Sequence, residues 1–282
     1  MIVARDKTGL REALREPRRA GRSVGLVPTM GSLHAGHLSL LRAAREDCDF
    51  VVMSLFVNPA QFGPGEDFKR YPRDEARDLR LAEAEGTDLL YAPSVAEVYP
   101  PGFATRIEVT GLTEVLCGDP AQRGPEHFQG VTTVVAKLFN SVQPDRAYFG
   151  QKDAQQVAVI GRMVADLDIP VRVEVRPTVR EPDGLALSSR NAYLDAEERR
   201  RAAALNRALR LAEERARTEP LDAALTAARE ELAEAGIEPE YLEARDAASL
   251  EPVHALDGRP VLVAVAAKVG PARLIDNVLI AP

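Results

Sequence analysis

Hydrophobic and polar positions along this chain change period several times, and the changes mark out elements. Residues 24–27 are a short apolar run that reads as a buried strand. After a Pro-Thr-Met-Gly turn, Leu38, Leu40, Leu41, Ala43 and Ala44 recur at helical spacing. Residues 50–57 form an apolar run of the kind a parallel strand shows when both its faces are covered. A charged amphipathic helix over 73–85 is stopped by Gly86, and a short strand follows at 88–92. Helical spacing returns over 131–142 and 153–167, with strands at 147–149 and 171–175. Strands alternating with helices predict an α/β fold, a Rossmann-like doubly wound parallel sheet over residues 1–178. Ligands of such sheets bind beyond the carboxyl ends of the strands. The turn at 28–37, the segment 56–61 and the segment 150–153 each follow a strand, so they can share one crevice.

The pattern then changes. Residues 195–217 and 221–235 are Ala/Glu/Arg/Leu-rich helices, followed by strand-like segments at 240–243, 261–269 and 274–280. This predicts a second, smaller α+β domain over 179–282, in the position of a lid. No internal repeat or low-complexity linker interrupts the chain.

Composition narrows the class. With 282 residues the chain can bury a substantial core, and a net charge of -7 excludes a nucleic-acid-coating role, which needs a basic face. Cys48 and Cys117 form no close motif and suit a reducing compartment. The first residues lack the apolar core of a signal peptide, and the longest apolar run, 261–267, is too short for a bilayer. A soluble, cytoplasmic protein with no membrane or nucleic-acid partner is expected. Lysine stands at positions 7, 69, 137, 152 and 268 only, against arginine everywhere else. Codon bias explains most of that, yet a retained lysine also marks places where a compact ammonium is wanted.

Four segments carry candidate chemistry. The first places His34 and His37 at a helix entrance, where unpaired N–H groups and the helix dipole attract anions. Two histidines one turn apart can also chelate zinc. No Glu lies between them as in a metalloprotease helix, and the glycines around them favour phosphate. In the second, Gly150 permits close backbone approach, Lys152 offers a mobile point charge, and Asp153 can cap the next helix. Taken alone this is an ordinary strand-to-helix loop. In the third, Ser188, Ser189 and Arg190 can grip phosphates, or simply precede a helix. In the fourth, Asn58 and Gln61 are amides in an apolar loop, suited to hydroxyls and carboxylates or to turn chemistry around Pro59.

In this order, the four segments resemble the pantoate–β-alanine ligase family, within the nucleotidyltransferases that carry a His-x-Gly-His signature. Tyr71-Pro72-Arg73, His127 to Val131 with Thr133-Val134-Val135, Pro144-Asp145 and Leu274-Ile275-Asp276-Asn277 extend the resemblance over nearly the whole chain. It implies a homodimeric ligase that condenses pantoate with β-alanine, using ATP and Mg2+, by way of pantoyl adenylate. Met30, Gly31, Ser32, Leu33, His34, Ala35, Gly36 and His37 are implied to wrap the ATP, with both histidines on its phosphates. Gly150, Gln151, Lys152 and Asp153 are implied to line the nucleotide, with Lys152 on the α-phosphate side. Val179, Leu187, Ser188, Ser189 and Arg190 complete that site, and Gln61 and Gln156 match pantoate-binding glutamines with Asn58 beside them. His37, His34, Lys152 and Arg190 are the implied catalytic group. Asp78 lies near a metal position of some members, but its neighbours do not match and no metal ligand is assigned.

Two departures bear on this. Members usually show Gly-Glu-Lys-Asp where this chain has Gln151, and Arg-Pro-x-His-Phe where it has Arg123-Gly124-Pro125-Glu126-His127. The rivals are another nucleotidyltransferase of the same superfamily and a regulatory nucleotide-binding protein without turnover. The latter would tolerate change at Lys152 and Arg190, since sensing needs affinity and not transition-state stabilisation. The acidic charge disfavours a tRNA-charging role.

Overall fold

The computed structural model describes residues 1–63 and 67–281. Two compact units divide the chain: Met1–Gly150 with Val159–Arg176, and Gln151–Ala158 with the chain from Pro177 onward.

The first unit contains, in chain order, β1 (Ile2–Ala4), α1 (Lys7–Arg19), β2 (Val24–Thr29), α2 (Ala35–Asp47), β3 (Phe50–Leu55), α3 (Glu75–Ala84), β4 (Leu89–Tyr91), α4 (Val95–Val98), α5 (Pro125–Val142), β5 (Arg146–Gly150), most of α6 (Ala154–Asp166) and β6 (Arg172–Arg176). The six strands form one sheet in the order β1-β4-β3-β2-β5-β6, with every adjacent pair parallel. Strand order reverses between β2, which pairs with β3 on one side, and β5, which pairs with it on the other. That reversal is the switch point where doubly wound sheets bind ligands. The covered-strand reading of β3 holds because Val51, Val52 and Met53 are wholly buried. One core packs Leu40, Leu41 and Ala44 of α2 on Val27, Val51, Met53 and Leu90 of the sheet.

Some elements escaped the periodicity wholly or in part, among them the one-turn α4. β1 has three residues, too few for any alternation to register. α1 buries only Leu10, Leu14 and Pro17, and its Asp6 cap, which accepts the Gly9 N–H at 2.7 Å, precedes an arginine-rich run with a proline inside it. α5 begins at Pro125, six residues before the expected start, because the polar His127 and Gln129 mask its first turns.

The second unit adds α7 (Ala196–Ala202), α8 (Ala204–Arg215), α9 (Leu221–Glu234), β7 (Pro239–Asp246), β8 (Val261–Val269) and β9 (Ala272–Ile280). The strands make an antiparallel sheet, β7-β8-β9, with Val261, Val263 and Val265 facing Leu205, Leu209, Ala228 and Leu232 of the helices. The single helix expected over 195–217 is divided at Ala203, whose N–H reaches the carbonyls of both Arg199 and Arg201 and so tightens the turn.

Candidate active site

The turn after β2 is built from inside. Gly31 (φ 85°) and Ser32 (φ 53°) both occupy the left-handed region, and a Cβ on Gly31 would lie 2.7 Å from Leu55 Cδ1 and 2.9 Å from Asp78 Oδ2. Asp78, buried in the first turn of α3, accepts the N–H groups of Ser32 and Leu33, each at 2.8 Å. Arg77 donates to the Leu33 carbonyl at 3.0 Å. A carboxylate thus holds the backbone of the turn, and both its oxygens are engaged in doing so.

The two histidines then start α2. His34 is the N-cap: its Nδ1 accepts the Gly36 N–H at 3.2 Å, while His37 Nδ1 accepts the His34 N–H at 3.4 Å. This is a capping box made of imidazoles in place of the usual hydroxyl and carboxylate. Its consequence is chemical. A ring nitrogen that accepts a hydrogen bond carries no proton, so each neutral ring keeps its proton on Nε2. The rings lie 4.1 Å apart, centroid to centroid. Two Nε2–H donors at the positive end of a helix have the chemistry that suits an anion. Zinc chelation through the Nε2 atoms would require both protons to move to Nδ1 and break the box, so the geometry favours phosphate.

The turn after β3 meets this one through Met30. Gln61 donates from Nε2 to Met30 Sδ at 3.0 Å, and its Oε1 accepts from Asn58 Nδ2 at 3.2 Å. Asn58 is buried beside it. Its Nδ2 also donates to the Gly130 carbonyl (3.0 Å), and its Oδ1 accepts from the Ala60 N–H (3.2 Å) and the Tyr99 hydroxyl (2.8 Å). The Asn58 amide is therefore fully used within the protein, and its effect is to fix which way the Gln61 amide faces. Burial pushes the Tyr99 phenol up to about 12, so it stays a donor. α5 approaches the same turn at Gly130, where a Cβ would lie 2.3 Å from the Ala60 carbonyl oxygen. The Gln61 carbonyl is held as well, by His127 Nδ1 (2.7 Å) and Arg123 Nη2 (3.3 Å). Arg123 Nη1 also faces His127 Nε2 at 3.1 Å. The guanidinium can only donate, so Nε2 accepts and Nδ1 supplies the proton to Gln61. The shifted arginine thus braces the backbone of Gln61.

Gly150 ends β5 in the first unit, and the second unit carries the other candidates. Gln151, Lys152 and Asp153 form a single 3-10 turn, with Lys152 Nζ 4.0 Å from Asp153 Oδ1. Gln156 is half-buried on the first turn of α6. Val179 and Leu187 are brought together by the Leu187 N–H, which donates to the Val179 carbonyl at 3.0 Å across a small antiparallel bridge between Arg180 and Ala186. Ser188 caps the turn Ser189–Tyr193 by accepting the Arg190 N–H at 3.2 Å, whereas α7 has its own cap in Asp195. Periodicity and motif matching assigned no role to Asp78, Tyr99 or His127, and they touch the candidate residues only through the fold. The acidic start of α3 is the one sequence signal near Asp78.

The chain is similar to known proteins. The sequence model for pantoate–β-alanine ligase matches residues 2–279. The pantothenate synthetase of Moorella thermoacetica is 56% identical over 267 residues, covering 93% of each chain, and that of Acetivibrio thermocellus is 52% identical over 283 residues, covering 99% of each. The crystal structure of pantothenate synthetase from Thermus thermophilus superposes with a TM-score of 0.93 at 50% identity over the whole of both chains. The pantoate–β-alanine ligase of Francisella tularensis, complexed with beta-gamma ATP and β-alanine, gives a TM-score of 0.82 at 32% identity, covering 99% of this chain and 97% of that one. A parallel sheet with its histidine-capped helix, an antiparallel second unit and matches of this extent together place the chain in the pantoate–β-alanine ligase family.

Proposed function

We propose that the chain makes pantothenate in two steps, through a pantoyl adenylate. In the first, a pantoate carboxylate oxygen attacks the α-phosphorus of ATP and pyrophosphate leaves. In the second, the amine of β-alanine attacks the acyl carbon, the C–O bond breaks, and AMP departs with that oxygen. The observation that carries this reading is the junction at Met30. One turn supplies two Nε2–H donors for phosphate and, through Met30, meets a glutamine whose amide is fixed from behind. Neither step needs a covalent enzyme nucleophile, so positioning and charge stabilisation account for the catalysis.

Within this reading His34 and His37 donate to ATP phosphates, Lys152 adds a point charge on the α-phosphate side, and Ser188, Ser189 and Arg190 hold the phosphates further. Residues 30–37 and 150–153, with Val179 and Leu187, line the nucleotide. Gln61 and Gln156 recognise pantoate, and Asn58 positions Gln61. Mg2+ enters with ATP as part of the substrate. Both oxygens of Asp78 are bonded to backbone N–H groups, so no ligand from this turn is assigned to the metal. The reading includes a homodimer, for which the half-exposed Ile2 and Val3 on the edge strand β1 offer apolar surface. It also includes a cytoplasmic setting, in keeping with two buried free cysteines. Among the described residues no helix is long and apolar enough to cross a membrane.

The test is isotopic. With pantoate labelled by oxygen-18 in its carboxylate, ATP, Mg2+ and β-alanine, the AMP released should carry one labelled oxygen. Unlabelled AMP would eliminate the adenylate, and no AMP beyond a pantoate-free control would eliminate the ligase activity of this chain.

A further inference from the structure

The segment Leu274-Ile275-Asp276-Asn277 has no assigned role, yet β9 holds two buried polar residues side by side there, Asp276 and Asn277. Successive strand residues face opposite sides of a sheet, and here each side meets a different candidate segment of the second unit. Asn277 Nδ2 donates to the carbonyls of both Gln151 and Lys152, each at 2.9 Å. Its Oδ1 accepts from Gln151 Nε2 at 3.1 Å. The carboxamide is thereby oriented at both ends, with its two hydrogens committed to the peptide that carries Lys152. Asp276, on the other side, forms a two-point ion pair with Arg180, at 2.6 and 3.0 Å. Arg180 also donates to the Gly184 carbonyl at 3.1 Å and to the Asn277 carbonyl at 3.5 Å. It sits in the turn that joins Val179 to Leu187 and leads into Ser188, Ser189 and Arg190.

We propose that Asn277 is a positioning residue for Lys152, with Gln151 as its lock, and that Asp276 ties the loop leading to Arg190 to the same point of β9. The inference rests on the phosphate role given to Lys152 above. Lysine is a flexible point charge, so its reach depends on where its own peptide is held. Two hydrogen bonds to consecutive carbonyls fix that peptide, and a displacement of about 1 Å in a reacting group costs up to about 100-fold in rate. Gln151 can lock Asn277 because an amide donates. The glutamate more usual at this position has no hydrogen to give to Oδ1.

The experiment is a double-mutant cycle in the full chain, read as kcat and KM for ATP and for pantoate. Asn277→Ala should lower kcat by about 10- to 100-fold, with the KM for pantoate little changed. Gln151→Ala, a smaller change on a half-buried residue, should give a weaker loss of the same kind, and it serves where Asn277→Ala fails to fold. In a Lys152→Ala background each substitution should add less than about 2-fold, since the group it positions is gone. Losses that multiply in full would overturn the proposal, showing that Asn277 and Gln151 act otherwise than through Lys152. An unimpaired Lys152→Ala would instead overturn the phosphate role of Lys152 itself.

Discussion

Asn58 makes four hydrogen bonds inside the protein, and that saturation decides how Gln61 can act. An amide can face either way in a loop. Here Asn58 donates to Gln61 Oε1, which leaves the nitrogen on the Met30 side. The last member of the relay is Tyr99, whose hydroxyl holds Asn58 in turn. Removing that hydroxyl takes one of the two hydrogen bonds from Asn58 Oδ1 and leaves the Ala60 N–H, a loss of about 0.5–1.5 kcal/mol. Tyr99→Phe should therefore raise the KM for pantoate by about 5-fold while leaving the KM for ATP near its starting value. Initial-rate kinetics with each substrate varied would check this, and equal changes in both constants would argue against the relay. Asn58 stood out in the sequence as an amide in an apolar loop, a correct reading of its chemistry. Gln61 and Ala60 are local, but its other two partners are 41 residues away at Tyr99 and 72 away at Gly130, beyond any local pattern.

Among the elements, close approach matters more than propensity. α5 passes the turn at Pro59–Gln61 with so little clearance that residue 130 has no room for a side chain. Gly130→Ala should push the helix off the turn, cost about 1–3 kcal/mol of stability and weaken pantoate binding with it. Urea unfolding and pantoate titration would measure the two effects. Unchanged stability would mean that the helix can shift at no cost. Such contacts explain which elements could be read from the chain. α2, α6, β3 and β8 carry strong periodic or continuous apolar patterns and lie where the sequence puts them. α1 and β1 do not, because one buries three residues of thirteen and the other has only three residues. The helix entrance at His34 was legible as strand, turn and helix. Its capping box was not, since histidine is not a usual N-cap residue.

Over the whole first unit, several phenols are held protonated by burial. Tyr91 and Tyr99 are each pushed up to about 12, and Tyr148 is also pushed up by burial, with Cys48 and Asp47 adding to the effect. An unfolded chain loses its phenolic protons from about pH 10, while the folded one keeps them. Above that pH the folded state binds more protons, so stability falls as pH rises. The window runs from about 10 to about 12. Urea midpoints should fall between about pH 8 and about pH 11, with phenolate absorbance appearing as the protein unfolds. Full phenolate absorbance from a folded protein at about pH 11 would count against it.

Local information along the chain was enough for the parallel sheet, the α+β character of the second part, the placing of three of the four candidate segments at strand ends, and the family. The antiparallel pairing of β7, β8 and β9 came from the fold. Period, turn residues and short motifs each act over a few positions, so they can be read without the fold. How those segments are held emerged only once distant parts of the chain were brought together. Asp78 closes the turn at Ser32 and Leu33 across 46 and 45 residues, Tyr99 sets Gln61 by way of Asn58, and Asn277 holds the Lys152 peptide across 125. A buried polar group must find a partner wherever the fold supplies one, and spacing along the chain does not say where that is.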